Sequence, residues 1–461
     1  MYKYLFPYSQ VPPGSRIVIY GIGEVGMDYY RQMLVTGFCD VVAIIDRKWD
    51  EYQNLKCPVY PHEKLGDISC DYIVLAFKTS IHLREIVNTI KSYGVSDKQI
   101  IMPTANDAEA SIYGEAETEE DLEALAYTKS RLSVAFTMKG GIGDCISNAP
   151  LVYMLVRELP DCLIDLVGVK NKGFLEYLFQ DCRNINVITK RIVDDQGYAL
   201  SMEVLRGNVV VAQLKDDIIF EKNNAFYEKL KKVQKKNKAE DFDYRIPLQV
   251  FWKRFELQGQ DYYSAKTCDG ILDLNRNVPI PLSKAGQKEF EDLRLLQYIT
   301  VCGGNGLSKD KSIVSKAWPK EYFDELIRMI KASYPNIQVV QIGAADVEVY
   351  QNTDIQLLGK DFEVISWILK NSLLHIDIDG GMVHLASQLG TKCIVLFGPT
   401  SVKYLGYKDN INIVSKKCNS CYGLYSENYR CARFMDEPEC MYSIQPEMVF
   451  EKVLDYLEFV M

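Results

Sequence analysis

The sequence predicts an α/β protein made of three successive parallel-sheet units, and three observations support this prediction. The chain has 461 residues, which is too many for a single hydrophobic core. Short apolar strand candidates alternate with helical patterns along most of the chain. A glycine-rich turn follows the first strand candidate of each unit. We place the three units at residues 1–127, 128–290 and 291–461.

The first unit carries a glycine pattern that is typical of nucleotide-binding turns. Its first strand candidate is followed by Gly21, Gly23 and Gly26, and Asp46 ends the next strand candidate. This spacing matches a dinucleotide fingerprint. Only about four strands precede the acidic stretch at residues 115–127, which is half of a full dinucleotide fold. We therefore expect a small Rossmann-like domain with a binding or scaffolding role. NAD is not expected, and an NAD-dependent enzyme that modifies nucleotide sugars is the alternative.

The second unit offers a candidate general base. Its strand candidates lie at residues 132–136, 162–167, 185–189 and 209–212. Gly140, Gly141 and Gly143 precede Asp144 at the point where the first of these strands gives way to a helical pattern. A carboxylate at the carboxyl end of a parallel strand can accept the proton of a bound hydroxyl group. The alternative for Asp144 is an ordinary cap of the following helix.

The third unit offers groups that suit a diphosphate. Its strand candidates lie at residues 298–302, 337–342, 375–378 and 393–397. Lys316 lies at the start of an amphipathic helical pattern, shortly after Gly303, Gly304 and Gly306. A lysine beside a helix N-terminus adds a point charge to the helix dipole, and together they attract phosphate groups.

A second glycine turn in this unit is the strongest sequence signal for phosphate binding. Asp379, Gly380 and Gly381 end one strand candidate and start a helix that carries His384 on its first turn. Backbone N–H groups at such a helix start can face an anion, and the imidazole can reach the same anion. The alternative for His384 is a satisfied core histidine. Asp377 and Asp379 also match a metal-binding Asp-x-Asp motif, which we do not favour because they end a strand inside this longer pattern.

Four motifs, in this order, resemble glycosyltransferase family 9, which includes the ADP-heptose:lipopolysaccharide heptosyltransferases. They are Gly143-Asp144 with Pro150, Lys316-x-Trp318-Pro319, Asp379-x-Gly381-x-x-His384 and the run LFGPT at residues 396–400. The resemblance extends from about residue 132 to the C-terminus. It implies a GT-B fold, in which two Rossmann-like lobes face a cleft, and inverting, metal-independent sugar transfer. Residues 128–290 would form the acceptor lobe, and residues 291–461 the donor lobe.

The resemblance also implies roles for individual residues. Asp144 corresponds to the family's general base. The residues expected to bind the donor are Gly143, Lys316, Asp379, Gly380, Gly381, His384 and Thr400. Many relatives carry a hydroxyl residue where this chain has Gly380, so we expect Thr400 or Ser401 to contact the phosphate instead. The family's contacts to the ribose and base fall near residues 343–348.

The substrates implied by the family are a nucleotide-diphosphate sugar, with ADP-heptose favoured, and a cell-surface acceptor. The acceptor classes are a glycan, a lipopolysaccharide core, a lipid-linked glycan and a protein. No catalytic metal is expected. A non-catalytic protein that binds sugar nucleotides is the second class of function that the motifs allow.

Four of the thirteen cysteines cluster near the C-terminus, at Cys418, Cys421, Cys431 and Cys440. The two thiolates of a Cys-x-x-Cys pair can bind one ion, and a second pair completes a tetrahedral site. We expect a structural zinc ion, or iron bound as in rubredoxin. Two disulfides or free thiols are the alternatives.

Overall composition restricts partners and location. The formal net charge of −9 argues against nucleic-acid binding, which needs a positive surface. No apolar run approaches the roughly 18 residues of a membrane span, and the N-terminus has no export signal pattern. These features predict a cytoplasmic protein with at most peripheral contact with the inner face of a membrane. They are compatible with a homo-oligomer.

Overall fold

The chain forms two compact units. The computed structural model describes residues 4–8, 10–52, 54–77, 83–102, 133–188, 198–215, 218–239, 246–304, 315–418, 420–423 and 437–460, together with Cys431, Arg433 and Met435. The first unit comprises Met1–Ala116, Asn237–Gly259 and Gly423–Asn428, and the second comprises Glu117–Lys236, Gln260–Tyr422 and Tyr429–Met461. The acidic stretch at 115–127, the boundary after residue 127 and Gly306 lie outside the described residues. The division into three domains therefore stays a prediction.

The first unit is built on a five-stranded parallel sheet. Its strands are β1 (Arg16–Tyr20), β2 (Asp40–Ile45), β3 (Val59–Tyr60), β4 (Tyr72–Leu75) and β5 (Ile100–Ile101), and its helices are α1 (Glu24–Thr36), α2 (Leu83–Ser92) and α6 (Leu248–Leu257). The order is β3-β2-β1-β4-β5. This is the Rossmann order without its last strand. The centre of β1 is fully buried, as expected for a parallel sheet covered on both faces.

The second unit contains two sheets, and the first of them carries the predicted base. Its strands are β6 (Ser133–Thr137), β7 (Leu163–Val167), β8 (Ile185–Val187), β9 (Leu200–Leu205) and β10 (Asn208–Leu214), and its helices are α3 (Ile142–Glu158), α4 (Lys172–Leu178) and α5 (Asn224–Ala239). The order is β10-β9-β6-β7-β8. β10 pairs antiparallel with β9, and the other pairs are parallel.

The second sheet of this unit carries the predicted donor-binding residues. Its strands are β11 (Tyr298–Cys302), β12 (Gln338–Gly343), β13 (Ile355–Leu358), β14 (His375–Ile378), β15 (Cys393–Phe397) and β16 (Ile411–Val414). Its helices are α7 (Lys284–Asp292), α8 (Lys320–Ser333), α9 (Phe362–Asn371), α10 (Gly381–Gln388), α11 (Val402–Leu405), α12 (Glu439–Tyr442) and α13 (Pro446–Val460). All pairs are parallel, in the order β13-β12-β11-β14-β15-β16.

The two sheets of the second unit are joined by packed side chains. The rings of Phe174 on α4 and Phe362 on α9 lie 4.6 Å apart in an edge-on arrangement. The hydroxyl of Tyr177 on α4 donates a hydrogen bond to the hydroxyl of Ser366 on α9, at 2.7 Å. The α/β class predicted from the sequence is confirmed, and two Rossmann-like lobes in one unit agree with the expected GT-B fold. Among the described residues, no helix combines the length and apolar character needed to span a bilayer.

Candidate active site

The first strand of the second unit leads through a glycine turn into the helix that carries Asp144. β6 ends at Thr137, and α3 begins at Ile142. Gly140 has a φ of +102°, a left-handed conformation that favours glycine. A side chain there would also collide with the carboxylate, because an added Cβ would lie 2.3 Å from Oδ2 of Asp144. The turn therefore needs glycine so that the carboxylate can fold back over it.

Asp144 uses part of its carboxylate to stabilise the start of α3. It is the third residue of the helix, and Oδ2 accepts a hydrogen bond from the N–H of Gly141 at 2.9 Å. This contact is the capping role that was the alternative for Asp144. Oδ1 accepts a hydrogen bond from the hydroxyl of Tyr262. Because each carboxylate oxygen has a second lone pair, these contacts orient the group without preventing it from accepting a proton.

The starts of α3 and α10 meet at two glycines. A Cβ added to Gly143 would lie 2.7 Å from Cδ2 of His384, and one added to Gly381 would lie 3.0 Å from Cβ of Ile142 and 3.3 Å from the backbone nitrogen of Gly143. Gly380 precedes α10 as its N-cap residue. Because the two glycines leave little space between the helices, the backbone N–H groups of the two helix starts come close together. Helix starts attract anions through these N–H groups and the helix dipole.

Lys316 and Asp379 form a largely buried ion pair beside α10. The Nζ atom of Lys316 lies 3.2 Å from Oδ2 of Asp379 and donates to the backbone oxygen of Asp379 at 3.2 Å. Burial is the largest single influence and lowers the pKa of Lys316, but Asp379, Tyr422 and Asp144 together outweigh it, so the pKa is raised. The ring of Tyr422 lies 4.4 Å from the same nitrogen. Lys316 is therefore a fixed positive charge at the end of β14.

His384 is buried and lies within electrostatic reach of both carboxylates. Burial lowers the pKa of His384, while Asp379 and Asp144 oppose the change. Its Nδ1 atom lies 2.8 Å from the hydroxyl of Tyr407. Asp144 also acts to raise the pKa of Lys316. The structure thus brings the predicted base Asp144 into one cluster with Lys316, Asp379 and His384.

Thr400 carries a buried hydroxyl that a ligand could satisfy. The residue is 3% exposed, and its Oγ1 has no hydrogen-bond partner among the described residues. The hydroxyl of Ser401, by contrast, accepts the N–H of Tyr404 at the start of α11. The buried Oγ of Ser315, next to Lys316, also has no partner in the described part of the chain. Because buried polar groups normally have partners, Thr400 is favoured over Ser401 as a phosphate contact.

Two residues that the sequence analysis missed pack against Asp144. They are Tyr262, whose hydroxyl binds the carboxylate, and Lys266, whose Nζ lies 3.7 Å from the centroid of the Tyr262 ring. Lys266 is 1% exposed and donates to the backbone oxygen of Ser147 at 3.0 Å. Burial lowers the pKa of Lys266 to about 7, although Asp144 and Asp261 oppose this. No local pattern indicates such a contact, because Tyr262 and Asp144 are 118 residues apart.

The two carboxylates of the Asp-x-Asp motif have different partners. Asp377 accepts the N–H of Ile378 at 2.7 Å and lies 3.5 Å from Nε2 of His375. Burial raises the pKa of Asp377 to about 6. Asp379 pairs with Lys316 instead. These separate partners argue against a divalent ion shared by the two carboxylates.

The glycine turn of the first unit is closed by Asp46, the carboxylate of the predicted fingerprint. Gly21 has a φ of +102°, Gly23 precedes α1, and a Cβ added to Gly26 would lie 1.8 Å from the backbone oxygen of Gly21. Asp46 accepts the N–H of Ile22 at 2.7 Å, and its other oxygen accepts another backbone N–H at 2.8 Å. Asp46 therefore stabilises the turn itself. Nucleotide binding by this unit stays a prediction.

The four C-terminal cysteines lie near one another. Burial first, and then Cys418, Cys421 and Cys431, raise the pKa of Cys440 to about 12. None of the four forms a disulfide in the structure. Within the described residues, which include all four cysteines, no group of three or more His, Cys, Asp or Glu side chains is arranged to hold a metal ion. The metal site therefore stays a prediction that rests on the sequence pattern.

Comparison with known proteins supports the resemblance seen in the motifs. Residues 304–428 match the model of glycosyltransferase family 9 (heptosyltransferase). No curated protein matches the chain. Among solved structures, ADP-heptose lipopolysaccharide heptosyltransferase II of E. coli is 13% identical, with 70% of this chain and 98% of that chain covered and a TM-score of 0.42.

Two further solved structures are similar to this chain. A family 9 glycosyltransferase from Veillonella parvula DSM 2008 is 17% identical, with 72% of this chain and 99% of that chain covered and a TM-score of 0.41. The iron-containing dodecameric glycosyltransferase TibC from enterotoxigenic E. coli H10407 is 12% identical, with 72% and 78% covered and a TM-score of 0.44. The matched segment, residues 304–428, is similar to glycosyltransferase family 9, and this similarity supports glycosyltransferase activity for the chain.

Proposed function

We propose that the chain transfers a sugar from a nucleotide-diphosphate donor to an acceptor hydroxyl, with inversion and without a catalytic metal. One observation carries this proposal. Asp144 at the start of α3 lies in the same buried cluster as His384, Lys316 and Asp379 around the start of α10. A carboxylate that can accept a proton and a set of groups that attract an anion are the two requirements of such a transfer.

The acceptor half of the reaction is proposed to depend on Asp144. Its carboxylate takes the proton of the acceptor hydroxyl, and the oxygen forms a bond to the anomeric carbon of the donor sugar. The bond from that carbon to the diphosphate oxygen breaks at the same time, and its electron pair stays with the leaving nucleoside diphosphate. Attack from the opposite side inverts the anomeric configuration.

The donor half is proposed to depend on fixed positive groups. The leaving diphosphate gains negative charge. We propose that three groups stabilise it: the N–H groups at the start of α10, the Lys316 ammonium and an imidazole N–H of His384. The hydroxyl of Thr400, which has no hydrogen-bond partner among the described residues, is proposed as a further donor. Asp379 holds Lys316 in place through their ion pair. A preorganised set of this kind commonly provides a large part of the rate enhancement.

We propose ADP-heptose as the donor because the matching family is a heptosyltransferase family. The acceptor is proposed to be a cell-surface glycan, a lipopolysaccharide core, a lipid-linked glycan or a protein. The base of the donor is expected to lie beside residues 343–348, in and just after the end of β12.

The test is a donor-consumption assay with ADP-heptose and a panel of other ADP-, UDP- and GDP-sugars. We expect Asp144→Asn to lower kcat by about 100- to 10,000-fold, the usual contribution of a general base. Asp161→Asn is the matched control, because Asp161 is exposed and lies just beyond the far end of α3. Excess EDTA is expected to leave kcat unchanged.

Three outcomes would contradict the proposal. A folded Asp144→Asn protein with wild-type turnover would remove Asp144 as the base. Loss of turnover in EDTA, restored by a divalent ion, would refute metal independence. A wild-type protein that binds ADP but consumes no donor would instead be a non-catalytic sugar-nucleotide-binding protein.

A further inference from the structure

A series of four hydrogen-bonded side chains, of which Tyr263 and His384 are buried and Tyr407 and Gln388 half-buried, runs from Gln388, the last residue of α10, to His384. The Nε2 atom of Gln388 donates to the hydroxyl of Tyr263 at 3.1 Å. That hydroxyl lies 2.7 Å from the hydroxyl of Tyr407, which lies 2.8 Å from Nδ1 of His384. The direction of each hydrogen bond in this series depends on where the hydroxyl protons point. The hydrogen-bonding groups at its two ends, Gln388 and His384, determine these directions.

The side-chain amide of Gln388 has a fixed orientation. Its Oε1 accepts a hydrogen bond from the backbone N–H of Val278 at 2.9 Å. A backbone N–H can only donate, so the atom that faces Val278 must be the amide oxygen. The other side of the amide, its NH₂ group, donates to Tyr263 and to the backbone oxygen of Arg276, at 3.2 Å. Gln388 is therefore a donor to Tyr263.

This orientation sets the direction of the next two hydrogen bonds. The oxygen of Tyr263 accepts from Gln388, and among the described residues its other partner is the hydroxyl of Tyr407. Burial raises the pKa of both tyrosines, so both phenols keep their protons. The proton of Tyr263 then has Tyr407 as its acceptor, and the proton of Tyr407 has Nδ1 of His384 as its acceptor. Any other arrangement leaves a buried hydroxyl proton without a partner, which is unfavourable.

The last link determines which ring nitrogen of His384 carries a proton. Nδ1 accepts a hydrogen bond, and burial keeps the imidazole neutral near pH 7 by lowering its pKa. A neutral imidazole has one N–H, which must then lie on Nε2. The Nε2 edge of the ring lies against Gly143, because a Cβ added there would be 3.1 Å from Nε2. This edge lies next to Asp144, at the meeting point of the two helix starts.

We propose that Gln388 is a positioning residue that fixes the Nε2–H tautomer of His384 through Tyr263 and Tyr407. The imidazole then presents an N–H donor to the anion site in every molecule. The effect of this tautomer on catalysis rests on the proposed function, in which the Nε2–H group of His384 binds the leaving diphosphate. The tautomer itself follows from the hydrogen bonds alone.

The test is an NMR measurement on protein labelled with ¹⁵N in its four histidines. Long-range proton–nitrogen correlations distinguish a protonated ring nitrogen from an unprotonated one, and His384→Gln assigns the signal. We expect the Nε2–H tautomer in the wild type at pH 7.

We expect Gln388→Glu to convert His384 to the Nδ1–H tautomer. A carboxylate at position 388 accepts the Tyr263 proton, and this reverses the direction of every hydrogen bond between residue 388 and His384. Tyr407→Phe should leave a mixture of tautomers, since Nδ1 loses its donor.

The matched control is Gln356→Glu. The Nε2 atom of Gln356 also donates to a hydroxyl, that of Thr353 at 3.2 Å, but this pair is exposed on β13. The same amide-to-carboxylate change there should leave the His384 signal unchanged. Finding the Nδ1–H tautomer in the wild type would overturn the proposal. An unchanged Nε2–H tautomer in Tyr407→Phe would also overturn the proposal. This second variant tests the proposal even if Gln388→Glu does not fold.

A kinetic measurement separates this inference from the proposed function. We expect Gln388→Glu to lower kcat by about 100-fold, the usual effect of removing one donor to a developing charge, with Gln356→Glu unchanged. A wild-type protein that consumes no donor would refute the proposed function while the NMR result still decides the tautomer. An active enzyme in which Gln388→Glu leaves the tautomer of His384 unchanged would refute the positioning role of Gln388 but not the proposed function.

Discussion

The hydroxyl of Tyr262 binds the carboxylate that the proposed mechanism uses as a base. The backbone N–H of Tyr262 donates to the backbone oxygen of Tyr404, at 2.8 Å, which ties its position to α11. Tyr262 thus connects α11, which belongs to the second sheet of the second unit, to Asp144 beside the first sheet. A second contact, from Lys266 below the ring, holds the ring in place. Tyr262 is therefore expected to orient Asp144 rather than to touch the substrates.

We predict that Tyr262→Phe lowers kcat by about 10- to 100-fold with little change in the KM for the donor. The phenyl ring keeps the packing and the contact with Lys266, but Oδ1 of Asp144 loses its donor, and small misplacements of a reacting group are costly. Steady-state kinetics measures both parameters. Tyr153→Phe is the control, because its hydroxyl makes one hydrogen bond to Leu178 in the same lobe. A rise in KM without a fall in kcat would contradict the orienting role.

Local sequence patterns predicted much at the residue scale because glycine turns have strict backbone requirements. The turns before Asp144 and His384 were recognised from glycines, and the structure shows that Gly140, Gly143 and Gly381 have no room for a side chain. Tyr262, Lys266 and Gln388 were missed because their partners lie far away in the chain. Nothing in the segment around a tyrosine reveals which distant carboxylate or imidazole it will meet.

At the element scale, fully buried strands were predicted best. β11, β14 and β15 have the predicted bounds, and every residue in them is buried. β3, β9, β13 and β16 were not predicted, and three of these are edge strands of two to four residues that are partly exposed. A strand that lies half in solvent needs fewer apolar residues, so its pattern is weak.

The segment that contains the four C-terminal cysteines is predicted to bind a metal ion. We predict that the purified protein contains one zinc or iron ion per chain, bound by Cys418, Cys421, Cys431 and Cys440 as a structural site. Elemental analysis by mass spectrometry measures the metal content, and removal of the metal should lower the melting temperature. Cys440→Ser should lose the metal, whereas Cys70→Ser, a half-buried thiol of the first unit, should keep it. Metal-free protein from metal-replete cells would contradict the prediction.

At the scale of the whole molecule, the first unit is assembled from three separate parts of the chain. Besides the N-terminal sheet it includes α6, whose residues Val250 and Phe251 are fully buried and which packs against α1. In sequence, α6 lies between the strands of the first sheet of the second unit and those of its second sheet. Adjacency in sequence therefore predicts that α6 belongs with residues 128–290.

The stability of the whole molecule is predicted to depend on pH through Lys266. In the folded protein the pKa of Lys266 is about 7, whereas an unfolded lysine has a pKa of about 10.4. Between these values the unfolded state binds more protons, so the free energy of unfolding rises with pH. Relative to Lys266→Met, the wild type should gain up to about 1.4 kcal/mol per pH unit from pH 7 towards pH 10.

Denaturant unfolding at several pH values measures this difference. Lys172→Met is the control, because Lys172 is exposed on α4 and its replacement should leave the pH dependence unchanged. Below pH 7 the difference between the wild type and Lys266→Met should level off, since both states of the wild type then carry the charge. Parallel stability curves for the two proteins across this range would contradict the prediction.

The close approach of two helix starts at Gly143 and Gly381 restricts how this protein could be engineered to accept other nucleotide-sugar donors. A side chain at either position would push α3 and α10 apart, because the nearest atoms of His384 and Ile142 are already in contact range. Under the proposed function, a substitution at Gly143 or Gly381 would weaken the binding of every diphosphate to the same extent. Libraries aimed at altered donor choice should leave these glycines constant and vary residues 344–348, which are proposed to contact the base of the donor, a part in which sugar nucleotides with the same diphosphate differ.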